Sequence, residues 1–411
     1  MNNIPTTFEQ IAERERKFLL QTYSRYPVVL SRGKGVFLYD IEGKKYLDFV
    51  SGLGVNALGH AHPRIVKAIR DQAAKLVHVS NLYYHEYQGP LAEKLCGLAS
   101  GSTGEKFRAF FSNSGTEAIE GSIKLARLAG HRAGGEAKCR LVALEGSYHG
   151  RTFGALSLTG QDKHRKGFEP LLEDVTFVKQ NDLEGLRAAV NDNTCAIVLE
   201  PIFGEGGIYE CSVEFLQECR ALADRHRAAL IFDEIQCGLG RTGTIFAFQS
   251  FRVTPDIVAI AKPIAAGLPL GAFIAKEEFA TAISPGQHGT TFGGGPLACR
   301  VALEFLAIVE EERLLENVNK VGAYLQEKLK ELVGKRNAAV GVRGRGFIQG
   351  IQLEIPARPI VEAGLAEGML FNSTQDTVVR FLPPFLMEEK HVDKGIRVLK
   401  KLLGKKTKAA A

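Results

Sequence analysis

Between residues 107 and about 275, short apolar runs alternate with stretches of helical periodicity, and few folds accept that pattern. The clearest runs are 107–111, 139–144, 174–178, 195–199, 228–233, 256–261 and 271–275. A strand buried on both faces reads as an unbroken apolar run, because neither face meets water. Such strands alternating with helices argue an α/β unit, a mostly parallel sheet flanked by helices on both faces. In open sheets of this kind ligands gather beyond the carboxyl ends of the strands. The ends of the runs are therefore the places to look for chemistry. Asp233 closes the run 228–233, Ser114 follows 107–111, and Lys262 follows 256–261.

The flanks differ in texture. Residues 7–26 read as a helix leading to Tyr26-Pro27, and 36–40 with 45–49, parted by Glu42-Gly43, as a hairpin. Helical pattern follows at 63–79 and 86–99. After Pro296 come helices at 296–312 and 314–333, strands at 340–344, 347–353 and 378–382, a helix near 359–367 and a last helix from 388. This is a smaller α+β unit, expected to pack with the N-terminal segment. The expected division is a large domain over 60–295 and a smaller discontinuous α+β domain built from 1–59 and 296–411.

Length and composition narrow the class. A chain of 411 residues, 45% hydrophobic and 24% charged, has room for a large core and the make-up of a soluble globular enzyme. The net charge of +6 is spread out, and its one cluster, Lys400-Lys401 with Lys405, Lys406 and Lys408, reads as a solvated, frayed end. No basic face with interleaved aromatics suggests nucleic acid. No run reaches the length of a membrane span, and Met1-Asn2-Asn3-Ile4-Pro5 lacks the charge and apolar stretch of a signal. Seven scattered cysteines, odd in number and without Cys-x-x-Cys, read as reduced buried thiols of a cytoplasmic protein. His60-Ala61-His62 before Pro63 lacks a third nearby metal ligand, so turn and capping contacts are expected and no metal site. Gly238-Leu239-Gly240-Arg241-Thr242-Gly243 fits a dinucleotide pattern, but it neither follows a strand directly nor opens a helix, so no nicotinamide site is expected.

Several residues carry chemistry. Ser114-Gly115-Thr116 opens a helix, where small residues and the helix dipole suit a phosphate; an ordinary N-cap with Glu117 in the first turn explains the same letters. Asp233 can hold a proton on a pyridine nitrogen or cap the next turn, and Gln236 can donate to a nearby phenolic oxygen. Lys262 follows an apolar run; a desolvated lysine loses its charge and becomes a nucleophile, although a lysine snorkelling from a strand end has the same surroundings in sequence. Tyr148 and Arg151 bring a ring for stacking and a guanidinium for a carboxylate. Arg380 is a charge inside an apolar strand and needs an anion, either a substrate carboxylate or an internal partner such as Glu205.

These elements occur in an order that resembles the class-III (ω-amino) aminotransferases of pyridoxal 5'-phosphate (PLP) fold type I. The resemblance runs from about Tyr23 to the last helix. Its segments are 59–63, 113–118, His149-Gly150-Arg151-Thr152, Glu200-Pro201-Ile202 with Gly204-Glu205-Gly206-Gly207, 232–236, Ala261-Lys262 and 288–294. It implies that Lys262 carries PLP as a Schiff base and later acts as general base, with Gly115 and Thr116 on the phosphate. Thr291 would reach that phosphate from the neighbouring subunit of a homodimer whose active sites lie at the interface. Tyr148 would stack on the ring, Ile235 would pack behind it, and Asp233 and Gln236 would take the roles given above. Arg151 and Arg380 would bind carboxylates, with Glu205 as the switch on Arg380, so that a small-molecule amino donor and 2-oxoglutarate share one site. Near Ser51-Gly52-Leu53-Gly54 there is no tyrosine of the kind ornithine-acting members use around a free α-amine. That favours an acylated donor, N2-acetylornithine; ornithine, succinyldiaminopimelate, a lysine-pathway acyl amine and 4-aminobutyrate remain open. Gly295 stands where the family commonly has Asn, and Pro263 with Ala265-Ala266 replaces glycine-rich sequence after the lysine.

Overall fold

The computed structural model describes residues 7–334 and 338–404. The basic tail from Lys405 onward and the Met1–Pro5 start, both read above, lie outside the described residues.

The seven apolar runs form one seven-stranded sheet. Its spatial order is Phe107–Ser112, Gly271–Lys276, Ile257–Ile260, Ala229–Asp233, Thr194–Leu199, Arg140–Leu144, Val175–Val178. Gly271–Lys276 is antiparallel to both of its neighbours, and the pairings from Ile257–Ile260 to Val175–Val178 are all parallel. The strands Thr194–Leu199, Ala229–Asp233 and Ile257–Ile260 are buried at every position, which is why they read as continuous apolar runs. The register puts Asp233 opposite Ala259 and Ser112 opposite Gly271. Ser112, Leu199, Asp233 and Ile260 therefore all end at one edge of the sheet.

Helix Gly115–Gly134 rises from that edge and buries Ala118, Ile119, Ile123, Leu125 and Ala126. Its start is fixed from both sides: the Ser114 hydroxyl accepts from the Glu117 N–H at 3.3 Å, and the Glu117 carboxylate accepts from the Asn113 N–H at 2.5 Å.

The two chain ends meet in smaller sheets. Leu30–Lys34, Phe37–Asp40 and Lys45–Asp48 form an antiparallel set that Met369–Leu370 joins in parallel. Ala339–Arg345, Ile348–Leu353, Val378–Phe381 and Asn372–Thr374 make a second, antiparallel sheet. In it Arg380 lies between Gly350 on one side and Asn372 on the other.

Some expected elements change. The helix expected over 7–26 is Phe8–Phe18 only, because the following Leu20 and Tyr23 find nothing to bury against and stay exposed. The helix expected over 63–79 stops at Ala73, and Leu76 and Val77, which gave it an apolar stripe, lie at the surface. Leu30–Lys34, Met369–Leu370 and Asn372–Thr374 have no counterpart in the reading above. Five of the seven free cysteines are buried; Cys96 and Cys139 are half-buried, so the expectation of uniformly buried thiols needs that correction. His60 Nε2 pairs with Asp48 at 2.8 Å. His62 lies 3.6 Å from Glu312 and makes no side-chain cap on the helix it precedes, contrary to the capping role expected there. The glycine-rich stretch 238–243 is a tight coil whose Gly240 and Gly243 take positive φ, with Gly243 pressed against Asn319. Its Arg241 is fully buried and donates to the carbonyls of Gly54, Phe347 and Pro383. Among the described residues no helix is long and apolar enough to cross a membrane.

Candidate active site

A cavity of about 430 Å³ opens at the sheet edge where these strands end, a volume suited to a cofactor-sized ligand. Ser114, Gly115, Thr116, Tyr148, Arg151, Glu205, Asp233, Ile235, Gln236 and Lys262 all line it. Strands that end together bring side chains from more than a hundred residues of sequence onto one wall.

At one end is the first turn of helix Gly115–Gly134. The N–H groups of a first helical turn have no intrahelical acceptor, and the helix dipole adds partial positive charge. Gly115 has no room for a side chain, because a Cβ there would press on Ile235 at 2.8 Å. The Thr116 hydroxyl meets that of Thr152 at 2.7 Å. This end suits a phosphate.

Beneath the cavity sits a buried acid–imidazole group. Asp233 Oδ1 accepts from the Ile235 N–H at 3.0 Å, and Oδ2 lies 2.7 Å from His149 Nδ1. Nearby Glu200 accepts from the Tyr148 and Gly204 N–H groups at 2.9 and 3.0 Å. Burial, then the Asp233 charge, pushes the Glu200 carboxyl up to about 7. His149 and Glu200 were present in recognisable segments, but their part here was not foreseen. The link joins positions 84 apart in sequence, and no local pattern signals it.

Lys262 follows Ile257–Ile260 with φ of 44°. Desolvation lowers its ammonium below the ordinary lysine value, which favours a free amine. Tyr148 reaches the cavity beside Arg151, whose guanidinium carbon is 5.6 Å from the ring centre.

At the far wall Glu205 and Gln236 line the cavity, and Arg380 lies buried behind them. Arg380 is 1% exposed and donates through Nη1 to Glu205 Oε1 at 2.6 Å, the Gly204 carbonyl at 2.9 Å and Gln236 Oε1 at 3.1 Å. Gln236 Nε2 also lies 3.3 Å from the same Glu205 oxygen. Burial would raise the Glu205 carboxyl, but the Arg380 and Lys262 charges outweigh it and hold it at about 2. Glu205 is thus an anion at any ordinary pH. Gln236, expected to serve a phenolic oxygen, is here also part of this wall.

Thr291 does not line this cavity; it lies exposed in the loop after Gly289. That loop is nonetheless adjacent to the phosphate end, since Asn113 Nδ2 donates to the Thr290 hydroxyl at 3.2 Å. A helix N-terminus, the Tyr148 ring, the buried Asp233 carboxylate and the desolvated Lys262 amine surround one space, and their chemistry fits PLP. Among the described residues no group of acidic, histidine and cysteine side chains is clustered to hold a metal ion.

Comparison with known proteins gives a consistent picture. The family model for class-III aminotransferases matches residues 20–403. The acetylornithine aminotransferase of Aquifex aeolicus is 46% identical over 94% of this chain and 100% of its own length. Among solved structures, the ornithine aminotransferase of Toxoplasma gondii, with PLP in partial occupancy at its active site, aligns with a TM-score of 0.90 at 30% identity, covering 97% of this chain and 94% of its own. The acetylornithine aminotransferase of Elizabethkingia anophelis aligns with a TM-score of 0.85 at 31% identity, covering 96% and 98%.

Proposed function

This chain belongs to the class-III aminotransferases, and on that footing we propose that it moves the terminal amine of N2-acetylornithine to 2-oxoglutarate with PLP as cofactor, a step of arginine biosynthesis in the cytoplasm. The observation that carries the reading is the Arg380–Glu205 pair, read as a gate. A transaminase must accept, at one place and in turn, a donor whose reacting amine is far from its carboxylate and an acceptor whose reacting carbonyl is beside one. Arg380 offers the charge the second needs, and Glu205 cancels it for the first. The name shared by full-length relatives at this identity supports the acetylated donor.

Bound PLP would supply an electron sink for the carbon whose proton is moved. Lys262 would hold the cofactor through its side-chain amine and, when that amine is free, would act as the base that moves a proton at the substrate's reacting carbon. Asp233, braced by His149, keeps the ring nitrogen protonated. Ser114, Gly115 and Thr116 would hold the cofactor's phosphate, Tyr148 and Ile235 would pack against its ring, and Gln236 would donate to its phenolic oxygen. Arg151, at the open side, takes the donor's carboxylate and the acceptor's distal one.

The protein works as a homodimer in which Thr291 completes the partner's phosphate site. Apolar surface beside the cavity supports this: Leu82, Tyr83 and Phe292 are 84, 68 and 66% exposed, and their segments are tied together by Asn81 Nδ2 donating to the Gly293 carbonyl at 3.0 Å. The large domain is taken as 60–295 and the smaller one as 1–59 with 296–411.

A panel of amine donors assayed with 2-oxoglutarate tests the function. N2-acetylornithine should give the highest kcat/KM. A higher value for free ornithine, succinyldiaminopimelate or 4-aminobutyrate would replace the donor named here, and absence of glutamate formation from every donor would overturn the reading.

A further inference from the structure

Arg380 has five N–H groups in a rigid fork, and where each goes decides which edge can receive a ligand. Nε and Nη2 both donate to one oxygen, Asn372 Oδ1, at 2.9 and 2.6 Å. Nη1 is turned to Gly204, Glu205 and Gln236. The second Nη2 hydrogen has no acceptor among the described residues. It lies on the Nη1 side of the fork, because the Nε side is taken by Asn372. Glu205 itself touches the fork with a single oxygen. The fork is thus held along one edge by a single neutral oxygen, Asn372 Oδ1, and along the other by contacts that include the movable Glu205 carboxylate.

The same hairpin that supplies Asn372 also holds the gate's main chain. Strands Asn372–Thr374 and Val378–Phe381 place Asn372 directly across from Arg380, the position from which cross-strand side chains meet. The Thr374 hydroxyl and Gln375 Nε2 both donate to the Glu205 carbonyl at 2.8 Å, and Gln375 also bonds Gln161 at 3.1 Å. Gln375 and Asp376 take positive φ in the turn that presents them. The Glu205 backbone is therefore pinned by two side-chain donors, while its carboxylate has only the Arg380 and Gln236 contacts to give up.

We propose that Asn372 is the positioning residue that keeps the Arg380 fork in place behind the Glu205 and Gln236 wall of the cavity when the Glu205 side chain swings away, so that Arg380 is uncovered by rotation of one side chain over a main chain that hairpin 372–381 holds still. The incoming carboxylate then takes the vacated Nη1 hydrogen and the free Nη2 hydrogen together, as a two-point pair. Without Asn372 the fork follows Glu205 or turns about its own bonds, and the carboxylate meets a misplaced partner. The proposal rests on Arg380 being the acceptor's carboxylate site.

The test is a double-mutant cycle on the holoenzyme, Asn372→Ala with Arg380→Ala, followed by single-turnover measurement of each half-reaction. Asn372→Ala should raise the KM for 2-oxoglutarate about 10- to 50-fold, as expected for a misplaced charged partner. Its acetylornithine half-reaction should stay within about twofold, with the absorbance of the bound cofactor unchanged. In the Arg380→Ala background the same substitution should change acceptor KM by no more than about twofold, because a residue acting through another has nothing left to act on. Asn372→Ser, which keeps one acceptor oxygen with less disturbance of the hairpin, should show the same pattern at smaller size and serves if the alanine variant folds poorly. Additive losses, or equal losses in both half-reactions, would overturn the role of Asn372 while leaving Arg380 in place. If Arg380→Ala alone leaves the acceptor half-reaction intact, the underlying reading of the gate fails, and this proposal with it.

Discussion

Replacing Glu205 with Gln removes the charge that competes with the acceptor for Arg380 while keeping an oxygen of similar reach. The structure sets the size of the effect. A carboxyl brought from 4.5 to about 2 is held as its anion by about 3 kcal/mol more than as its acid. That figure is what remains after desolvation is set against the Arg380 and Lys262 charges; part of it belongs to Lys262, and the amide can still accept from Nη1. Removing the charge should leave about 1–2 kcal/mol in favour of the ligand, or roughly 5- to 30-fold. The KM for 2-oxoglutarate and for glutamate should fall by that factor. N2-acetylornithine should move the other way, since it would face an uncancelled guanidinium with an uncharged part of its chain. Because the pairing is complete above pH 4.5 and is lost only as pH falls through about 2, the change in the glutamate-to-acetylornithine ratio should be constant across neutral pH. Stopped-flow half-reactions of the holoenzyme with each substrate give the ratio. An unmoved ratio would mean that Glu205 does not compete for the acceptor's site, and the gate would be structural only.

Three further outcomes follow from the same site. Borohydride treatment of the holoenzyme should fix the pyridoxyl group on Lys262 and nowhere else, and Lys262→Ala should lose both label and turnover; the rate at which apoenzyme captures PLP should titrate below the ordinary lysine value of 10.5, since burial lowers this amine, and a profile centred at 10.5 would contradict it. Asp233→Asn should keep PLP bound but lower turnover by roughly three orders of magnitude, about 4 kcal/mol in the barrier; near-normal turnover would reduce Asp233 to a cap for Ile235. Dilution of the protein should release PLP as the dimer parts, and Thr291→Ala should weaken PLP retention without disturbing the cavity within one protomer; a fully active monomer in sedimentation would rule out the shared site.

The large sheet was legible because its central strands are buried on both faces and read as apolar runs, with Asp233 and Ile260 at the ends of two of them. Arg380 was conspicuous for the opposite reason, a charge among Val378, Val379 and Phe381. Its anchor was not. Asn372–Thr374 is three polar or half-buried residues long, too short and too hydrophilic for any period to show, and only the strand register puts Asn372 across from Arg380. The contact of His149 with Asp233 was hidden in the same way, by topology and not by composition. The helices end earlier than the sequence pattern implies, at Phe18 and Ala73, because the apolar letters at 19–23 and 76–77 promise a buried face that the fold does not provide.

Glu200 and Glu205 lie five positions apart and are displaced in opposite directions, one pushed up to about 7 and the other held at about 2. The cause is what each faces. Glu205 meets a guanidinium at the cavity wall, whereas Glu200 is enclosed, bound only by main-chain N–H groups and close to the Asp233 charge. An acid whose folded-state pKa lies above its ordinary value adds stability below that ordinary value, and the contribution is lost as pH rises through the folded one. For Glu200 the window runs from 4.5 to about 7. Glu200→Gln removes the titrating group but leaves one oxygen to accept from Tyr148 or Gly204, and the lost second bond is a constant penalty of about 1 kcal/mol. Urea unfolding of the apoenzyme should therefore find the variant less stable than the parent near pH 4.5, and gaining on it by up to about 3 kcal/mol as pH approaches 7. The variant and the parent share Glu205, so their difference reports on Glu200 together with the Asp233 it faces. A difference that stays flat across that window would show that Glu200 is already ionised there and that its burial is offset by its two main-chain N–H donors.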